Sequence, residues 1–372
     1  MSIHLYEREN LKSPFPDTPP PHLLLDHTSR CLIKRFYTDV YAILPIRQPD
    51  DDIDEITDLD PEKKPYFPSF VVTANQIDES LAHILDECFL HEYREPTLAI
   101  LYSGTQTGTG LLELRKDTVS LLAVTLDLQQ RASTTIFSVT GLPYDCLRVI
   151  SLPAPVGGLL VLGTNQLIHV DQAGRCVALG VNFYAKKSTA FPMTHRPELK
   201  LSLEGATPVP LDGEDGAILL GLRNGTFVQC RFLRDGRSVT EIDIEKVELS
   251  KVPNVIIAGY SCAVALEDDR LFFGSQTGDS LLLGYSAQIK RDTSVVRVGM
   301  NDTVDDLAGI YGDEDEDDML PVTKGKLRIQ IHDFLMNTAP IRDAILATPA
   351  FSEACAFLNC SKIRMRDSYT RV

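Results

Sequence analysis

"LPAPVGGLLVLGTNQLIHVDQAG", Leu152 to Gly174, sets two short apolar runs on either side of Gly163-Thr164-Asn165. It reads as one hairpin of a β protein, as a glycine-rich phosphate loop, or as the signature of a particular family. The residues after the turn separate the first two readings. A phosphate loop needs a helix whose N-terminal N–H groups can hold the anion. Here the turn leads into "QLIHVD", which has the look of a second strand. Gly157-Gly158 stands where the first strand opens, a position that lets another backbone approach closely.

The pattern recurs. "GAILLGLRNGTFVQCRF" begins 59 residues after Gly157, at Gly216, and "DRLFFGSQTGDSLLLGYS" begins 53 further on, at Asp269. "EPTLAILYSGTQTGTGLLELRKD" at Glu95 extends the series upstream by 62 residues, with a longer turn. Each is an apolar run, a glycine, a polar turn and a second apolar run. The turns (Gly163-Thr164-Asn165, Arg223-Asn224-Gly225, Gln276-Thr277-Gly278-Asp279) use residues that tolerate the positive φ of tight hairpins. Similar hairpins at near-constant spacing, with two more strands between them, are what a β-propeller of four-stranded blades produces. The period exceeds the roughly 40–50 residues of compact blades, so long loops project from the rims. A β-sandwich would space its strands by about 8–12 residues without such a superperiod.

Elsewhere the chain also reads as strands: "RCLIKRFYTDVYAILPI" (Arg30 to Ile46), "SFVVTA" (Ser69 to Ala74), "TLAILYS" (Thr97 to Ser103) and "TVSLLAVTLDL" (Thr118 to Leu128). Helical spacing is scarce. Ile77, Leu81, Ile84 and Leu85 predict a short helix within Asn75 to Leu90, and Ala344 to Leu358 is a weaker case.

The 372 residues suffice for a large all-β domain, and 44% of them are apolar, as in globular proteins. No apolar run reaches the roughly 18 residues of a membrane-spanning helix, and the N-terminal stretch lacks the layout of a signal peptide, so a cytosolic or nuclear protein is expected. The eight cysteines include no CxxC, and most lie in or beside apolar runs, which predicts buried reduced thiols rather than disulfides or a zinc site. The net charge of −16 is local: "DDDIDEITDLDPE" (Asp50 to Glu62) and "NDTVDDLAGIYGDEDEDD" (Asn301 to Asp318) hold 17 of the 52 acids and no base. Such runs read as solvated loops, or as tethers for a basic partner.

Catalytic patterns are missing. There is no GxSxG, HxH or HExxH, and Ser103, Ser151 and Ser261 have no histidine spaced to suggest a triad. His169 alternates within a strand and reads as a structural histidine. "GTQTGTG" (Gly104 to Gly110) lacks the Lys-Ser/Thr of a P-loop, and "DGEDG" (Asp212 to Gly216) lacks the ligand spacing of a calcium loop. Nucleic-acid signals are modest, the longest basic cluster being "KIRMR" (Lys362 to Arg366). No catalytic, cofactor-binding or metal-binding residue is nominated, and partner-binding residues stay unassigned.

"FLHEYREPTLAILY" (Phe89 to Tyr102), "GLPYDC" (Gly141 to Cys146), "LPAPVGGLLVLGTNQLIHVDQ" (Leu152 to Gln172) and "LFFGSQTGDSLLLGY" (Leu271 to Tyr285) occur in this order. They resemble the first propeller of a family of giant triple-propeller scaffolds. Its branches are the largest subunit of the cleavage and polyadenylation specificity factor, the damage-binding adaptor of cullin ubiquitin ligases, and the propeller subunit of splicing factor 3b. "SVTGLPYD" and "GTNQLIHVDQAG" resemble the first branch in its filamentous-fungal form, and an acidic insertion such as "YGDEDEDD" suits it. Gln276-Thr277 departs from the Arg-Leu usual in the family's "GS-x-x-GDS" hairpin.

The resemblance implies an all-β fold, a WD40-like β-propeller with roughly four to five blades of a seven-bladed ring. The partial propeller would span residues 1–343, with acidic loop insertions at 48–65 and 300–322 and a divergent tail over 344–372. The first blade would be absent and the chain a fragment, whose open ring leaves strand edges unpaired and lowers stability. For function, the resemblance implies a nuclear, non-enzymatic scaffold of pre-mRNA 3′-end processing. Its partners would be the factor's other subunits and, directly or indirectly, pre-mRNA. No cofactor, metal, membrane or small-molecule substrate is expected. The rival readings are an adaptor of a cullin ligase or DNA-repair complex, a splicing factor 3b subunit, and a propeller enzyme.

Overall fold

A computed structural model describes residues 22–36, 39–48, 65–105, 109–111, 114–211, 216–236, 238–249, 255–257, 259–290, 323–337, 344–347 and 356–359. The first sheet is β1 (His22–Leu25), β2 (Cys31–Phe36), β3 (Val40–Pro45) and β4 (Phe70–Thr73), neighbours in chain order. The second is β5 (Ile84–Phe89), β6 (Thr97–Ser103), β7 (Val119–Asp127) and β8 (Ala132–Leu142). The third is β9 (Cys146–Ser151), β10 (Leu159–Gly163), β11 (Gln166–Val170) and β12 (Cys176–Gly180), with β13 (Thr194–His195) added parallel to β12. The fourth is β14 (Thr207–Pro210), β15 (Ile218–Gly221), β16 (Phe227–Asp235) and β17 (Ser238–Val247). The fifth is β18 (Tyr260–Leu266), β19 (Arg270–Ser275), β20 (Ser280–Lys290) and β21 (Thr323–Leu335). A separate pair joins β22 (Ala344–Ala347) to β23 (Ala356–Asn359). Five sheets in a row, each following chain order, are the five-blade propeller arrangement. The recurring hairpins at Gly157, Gly216 and Asp269 are the second and third strands of sheets three to five. At Glu95 only the first run is a strand, β6, because Leu111 and Leu114 are exposed and the third strand of that sheet, β7, starts beyond the quoted stretch.

Contacts divide the chain into two compact units, residues 1–223 with 230–245, and residues 224–229 with 246–372. In the first unit, β6 explains why its apolar run is continuous rather than alternating. Successive side chains point to opposite faces of a strand. Leu98, Ile100 and Tyr102 enter a core with Cys31, Ile33, Tyr41 and Ile43 of the first sheet. Ala99 and Leu101 enter another with Val149, Leu159, Val161 and Ile168 of the third. A sheet packed on both faces needs apolar residues at every position. Burying each such side chain contributes about 1.5–3 kcal/mol before entropy is counted. In the second unit, Phe227, Tyr260 and Phe273 form a buried aromatic triangle with ring centroids 5.0–5.1 Å apart, two of the contacts edge-on.

Gly158 works as its position suggested. Its φ is +72°, and a Cβ there would lie 2.2 Å from the carbonyl oxygen of Val170. The next turn differs from expectation, because Thr164 and Asn165 are not among the positive-φ residues. The chain reverses after Gly163, where a Cβ would meet the Gln166 side-chain amide at 2.4 Å and where the pairing of β10 with β9 shifts register. Positive φ is used instead at Gly225 (+81°) and at Asp268 and Asp269.

Both predicted helices need correction. Within Asn75 to Leu90 only one helical turn forms, α1 (Ala74–Ile77), begun by a Thr73–Gln76 capping box. Asp78 is extended and His83 has φ +47°, so the chain leaves the turn and enters β5. Leu81 is buried in the core of the first two sheets, so its apolar character serves that core rather than a helix. In Ala344 to Leu358 the residues described form strands, with Ile345 opposite Leu358. The acidic runs lie outside the described residues; one falls between the paired strands β3 and β4, the other between β20 and β21.

Candidate functional site

The serines and histidines raised by the sequence are occupied structurally. Ser103 Oγ donates to Thr105 O at 3.0 Å and Ser261 Oγ to Gly274 O at 3.3 Å. His169 is buried, its Nε2 is 3.0 Å from Gly157 O, and burial lowers its pKa despite that contact. Ser151 does meet a histidine that spacing could not reveal: His27 Nε2 lies 3.0 Å from its Oγ, 124 residues away in sequence. The same nitrogen lies 2.9 Å from Phe89 O, which only accepts. It therefore carries the proton and cannot serve as base toward Ser151. The His27 ring stacks on His91 at 3.4 Å between centroids; burial, then the charge of His27, pushes the His91 pKa down to about 4.

Buried carboxylates join the sheets of the first unit. Adjacent Asp86 and Glu87 on β5 point to opposite neighbours. Glu87, fully buried, accepts from Arg35 Nε at 2.7 Å, His22 Nδ1 at 3.1 Å and Tyr41 OH at 3.2 Å, all on the first sheet. The bond to Glu87 holds His22 above the ordinary histidine pKa, against its partial burial. Asp86 accepts the Val149 N–H of the third sheet at 2.9 Å; burial raises its pKa even so. Asp26 is buried, which by itself raises its carboxyl, but the bonds from Arg30 and Thr28 outweigh this and hold it below the usual range. In the second unit, Asp279 of the "GSQTGDS" hairpin accepts Ile256 N–H and Asn337 N–H, both at 2.8 Å. The hairpin's polar residues thus brace its turn.

Cys31, Cys146 and Cys230 are buried free thiols, Cys88 and Cys176 are half-buried, and Cys262 is exposed, contrary to the general expectation of burial. Burial pushes the Cys31 thiol up to about 12 and that of Cys176 to about 11. Cys355 and Cys360 lie outside the described residues, as do Asp212 to Glu214 and the "KIRMR" cluster. Among the described residues, no group of three or more His, Cys, Asp or Glu is placed to hold a metal. None of their helices is long and apolar enough to cross a membrane.

One surface of the first unit stands apart from this bracing. It is the segment after β12, "NFYAKKS" (Asn182 to Ser188). Asn182 is buried and receives a chain of amides that starts in the turn of the β10–β11 hairpin. Asn165 Nδ2 donates to Asp145 Oδ2 at 2.8 Å, and Asn182 Nδ2 donates to Asn165 Oδ1 at 2.9 Å and to Leu201 O at 2.7 Å. Asn182 Oδ1 accepts the N–H groups of Tyr184 and Ala185 at 2.9 and 3.2 Å, which starts the single turn α2 (Ala185–Ser188). The held segment exposes Phe183 (60%) and Tyr184 (65%) with rings edge-on at 6.1 Å. Lys187 Nζ lies 4.4 Å from the Phe183 centroid, a cation–π contact.

The segment before β7 clamps this surface. Lys116 Nζ donates to Lys187 O at 2.9 Å, and Asp117 accepts from the Thr189 hydroxyl and, at 3.1 Å, from Ala190 N–H. Lys186 and Lys187 are exposed on the segment, Arg115 is exposed next to Lys116 in the chain, and the Asp117 carboxylate is engaged by the clamp. Two exposed aromatic rings thus stand on a hydrogen-bonded segment with Lys186 and Lys187, beside the Lys116 clamp and its neighbour Arg115. Sequence patterns miss this site. Its only trace is an aromatic pair and two lysines after an Asn at a strand end, and nothing in that pattern says that the rings face water.

The comparisons with known proteins bear on the whole chain. Residues 14–300 match the family model described as the RSE1/DDB1/CPSF1 first beta-propeller. Protein cft1 of Schizosaccharomyces pombe is 40% identical over 365 residues, which is 92% of this chain and 25% of that protein. Protein CFT1 of Coccidioides immitis is 38% identical over 94% of this chain and 29% of its own length. Protein cft1 of Aspergillus oryzae is 39% identical over 86% and 25%. The chain spans about a quarter of the length of these relatives. With five propeller sheets and a matched stretch reaching from the first of them into the fifth, the chain belongs to the RSE1/DDB1/CPSF1 first-propeller family.

Proposed function

We propose that the chain is a non-enzymatic scaffold of the nuclear machinery that cleaves and polyadenylates pre-mRNA. Its rim loops would hold the subunits that read the polyadenylation signal, with direct RNA contact as a secondary role. The observation that carries this reading is the 40% identity to a Cft1 protein across 92% of the chain, on a propeller of the family that includes CPSF1. The geometry supports it: buried titratable groups brace one sheet against another, the use a scaffold makes of them. The acidic insertions proposed at 48–65 and 300–322 fall between the paired strands β3 and β4 and between β20 and β21, and a tail diverging in sequence from the family is proposed at 344–372.

Affinity purification of the tagged full chain from nuclear extract tests the proposal. Recovery of polyadenylation factors is expected. Recovery of a cullin or of spliceosomal subunits in their place would move the chain to another branch of the family. Nuclease or hydrolase activity abolished by a point substitution would remove the non-enzymatic reading.

A further inference from the structure

We propose that the clamped rim formed by Phe183, Tyr184, Lys186, Lys187, Arg115 and Lys116 binds single-stranded nucleic acid, with a base stacked on Tyr184 and phosphates held by the basic residues. Three features carry this. The rings are exposed although most of the described aromatic residues are not: Tyr41, Phe227 and Phe273 are each at most 1% exposed. The exposure is built in, because Asn182 pins the backbone on both sides of Tyr184 through a buried amide chain, and Lys116 and Asp117 clamp the far end. A base loses little by docking on a ring that is already held in place.

Lys186 and Lys187 beside the rings, with Lys116 of the clamp, concentrate positive charge where an anion would dock. The rings separate nucleic acid from an acidic polypeptide. Carboxylates would use only the lysines and arginine, whereas every base presents a π-face for stacking. Lys187 covers one face of Phe183, so that ring serves as an edge beside Tyr184, and Tyr184 is the stacking platform.

The proposal deepens the RNA contact included in the scaffold reading, but its test uses the purified full chain alone. Loss of partner proteins in the extract experiment and loss of binding here are therefore separate results. A short fluorescein-labelled oligouridine is titrated with the chain, and anisotropy is read at several salt concentrations. Tyr184→Leu keeps the apolar area but not the π-face, and is expected to weaken binding about five- to fifty-fold, while Tyr184→Trp keeps it. Lys186→Ala is expected to reduce the slope of log K against log salt by about 0.7, the loss of one phosphate contact to a single strand. Unchanged far-UV circular dichroism of the variants would show that their fold is intact. No binding by the unsubstituted chain, equal binding by the Leu and Trp variants, or displacement of the RNA by poly-glutamate as readily as by unlabelled oligouridine would each overturn the proposal.

Discussion

Replacing Gly158 by alanine tests whether the third sheet needs a glycine for space as well as for backbone freedom. At φ +72° an L-residue costs about 1–2 kcal/mol. Gly141 supplies the comparison: its φ is +75° and nothing lies within 4 Å of a built Cβ, so Gly141→Ala should cost that amount and no more. At Gly158 the Cβ would also meet Val170 O at 2.2 Å and Asp171 Cα at 3.1 Å. The obstacle is backbone, not a flexible side-chain tip, so β10 and β11 must separate by roughly 1 Å where both strands are buried throughout. Forced expansion of a packed core costs about 1–3 kcal/mol. The sum for Gly158→Ala is about 2–5 kcal/mol, against about 1–2 for Gly141→Ala. Urea unfolding followed by far-UV circular dichroism measures both, with Gly110→Ala, whose Cβ also meets nothing within 4 Å, as a near-neutral reference. If Gly158→Ala proves no more destabilising than Gly141→Ala, the close approach of Val170 is not a real constraint and the argument fails.

Other outcomes concern the buried polar groups. Glu87→Ala leaves Arg35 buried without its carboxylate and should cost about 3–5 kcal/mol, read by the same urea titration. His22 has a folded pKa raised above its unfolded value of 6.5, so its contribution is fully present below that value and is lost as pH rises through the folded pKa. Stability of the unsubstituted chain should therefore fall over that window, and His22→Asn should flatten the fall. His91, pushed down to about 4, acts in the opposite sense: its contribution is present above 6.5 and lost as pH falls toward 4, so His91→Gln should lessen destabilisation in acid. Asp279→Ala strands the Ile256 and Asn337 amides; a cost of about 2–4 kcal/mol in chemical unfolding is expected, and a cost below about 0.5 would show that water replaces the carboxylate.

The reach of the sequence varied by element. The hairpins at Gly157, Gly216 and Asp269 were legible because a turn and its two flanking strands are local, and repetition multiplied the signal. At Glu95 the second run was misplaced, because the partner of β6 lies further along, at Val119. The short helix predicted within Asn75 to Leu90 is confined to the single turn α1, because Leu81 and Ile84 serve the core between the first two sheets and Leu85 serves the one toward the third, so their helical spacing was coincidental. His27 and Ser151 came together across 124 residues, and only coordinates could show that Phe89 O already takes the histidine proton.

The rim shows where the division lies. Turn residues, apolar runs and their period depend on neighbours in the chain, so the β class, the blade period and the family were written in the sequence. Exposure is decided by what other segments bring to the same place. Tyr260 is buried against Phe227 and Phe273, while Tyr184 faces solvent, and nothing adjacent to either residue in sequence separates the two cases. The quoted hairpin spans both sides. Its strands were readable from Leu152 to Gly174, but the further role of Asn165, which bonds Asp145 and Asn182 and so holds an aromatic surface in place, exists only once the chain has folded.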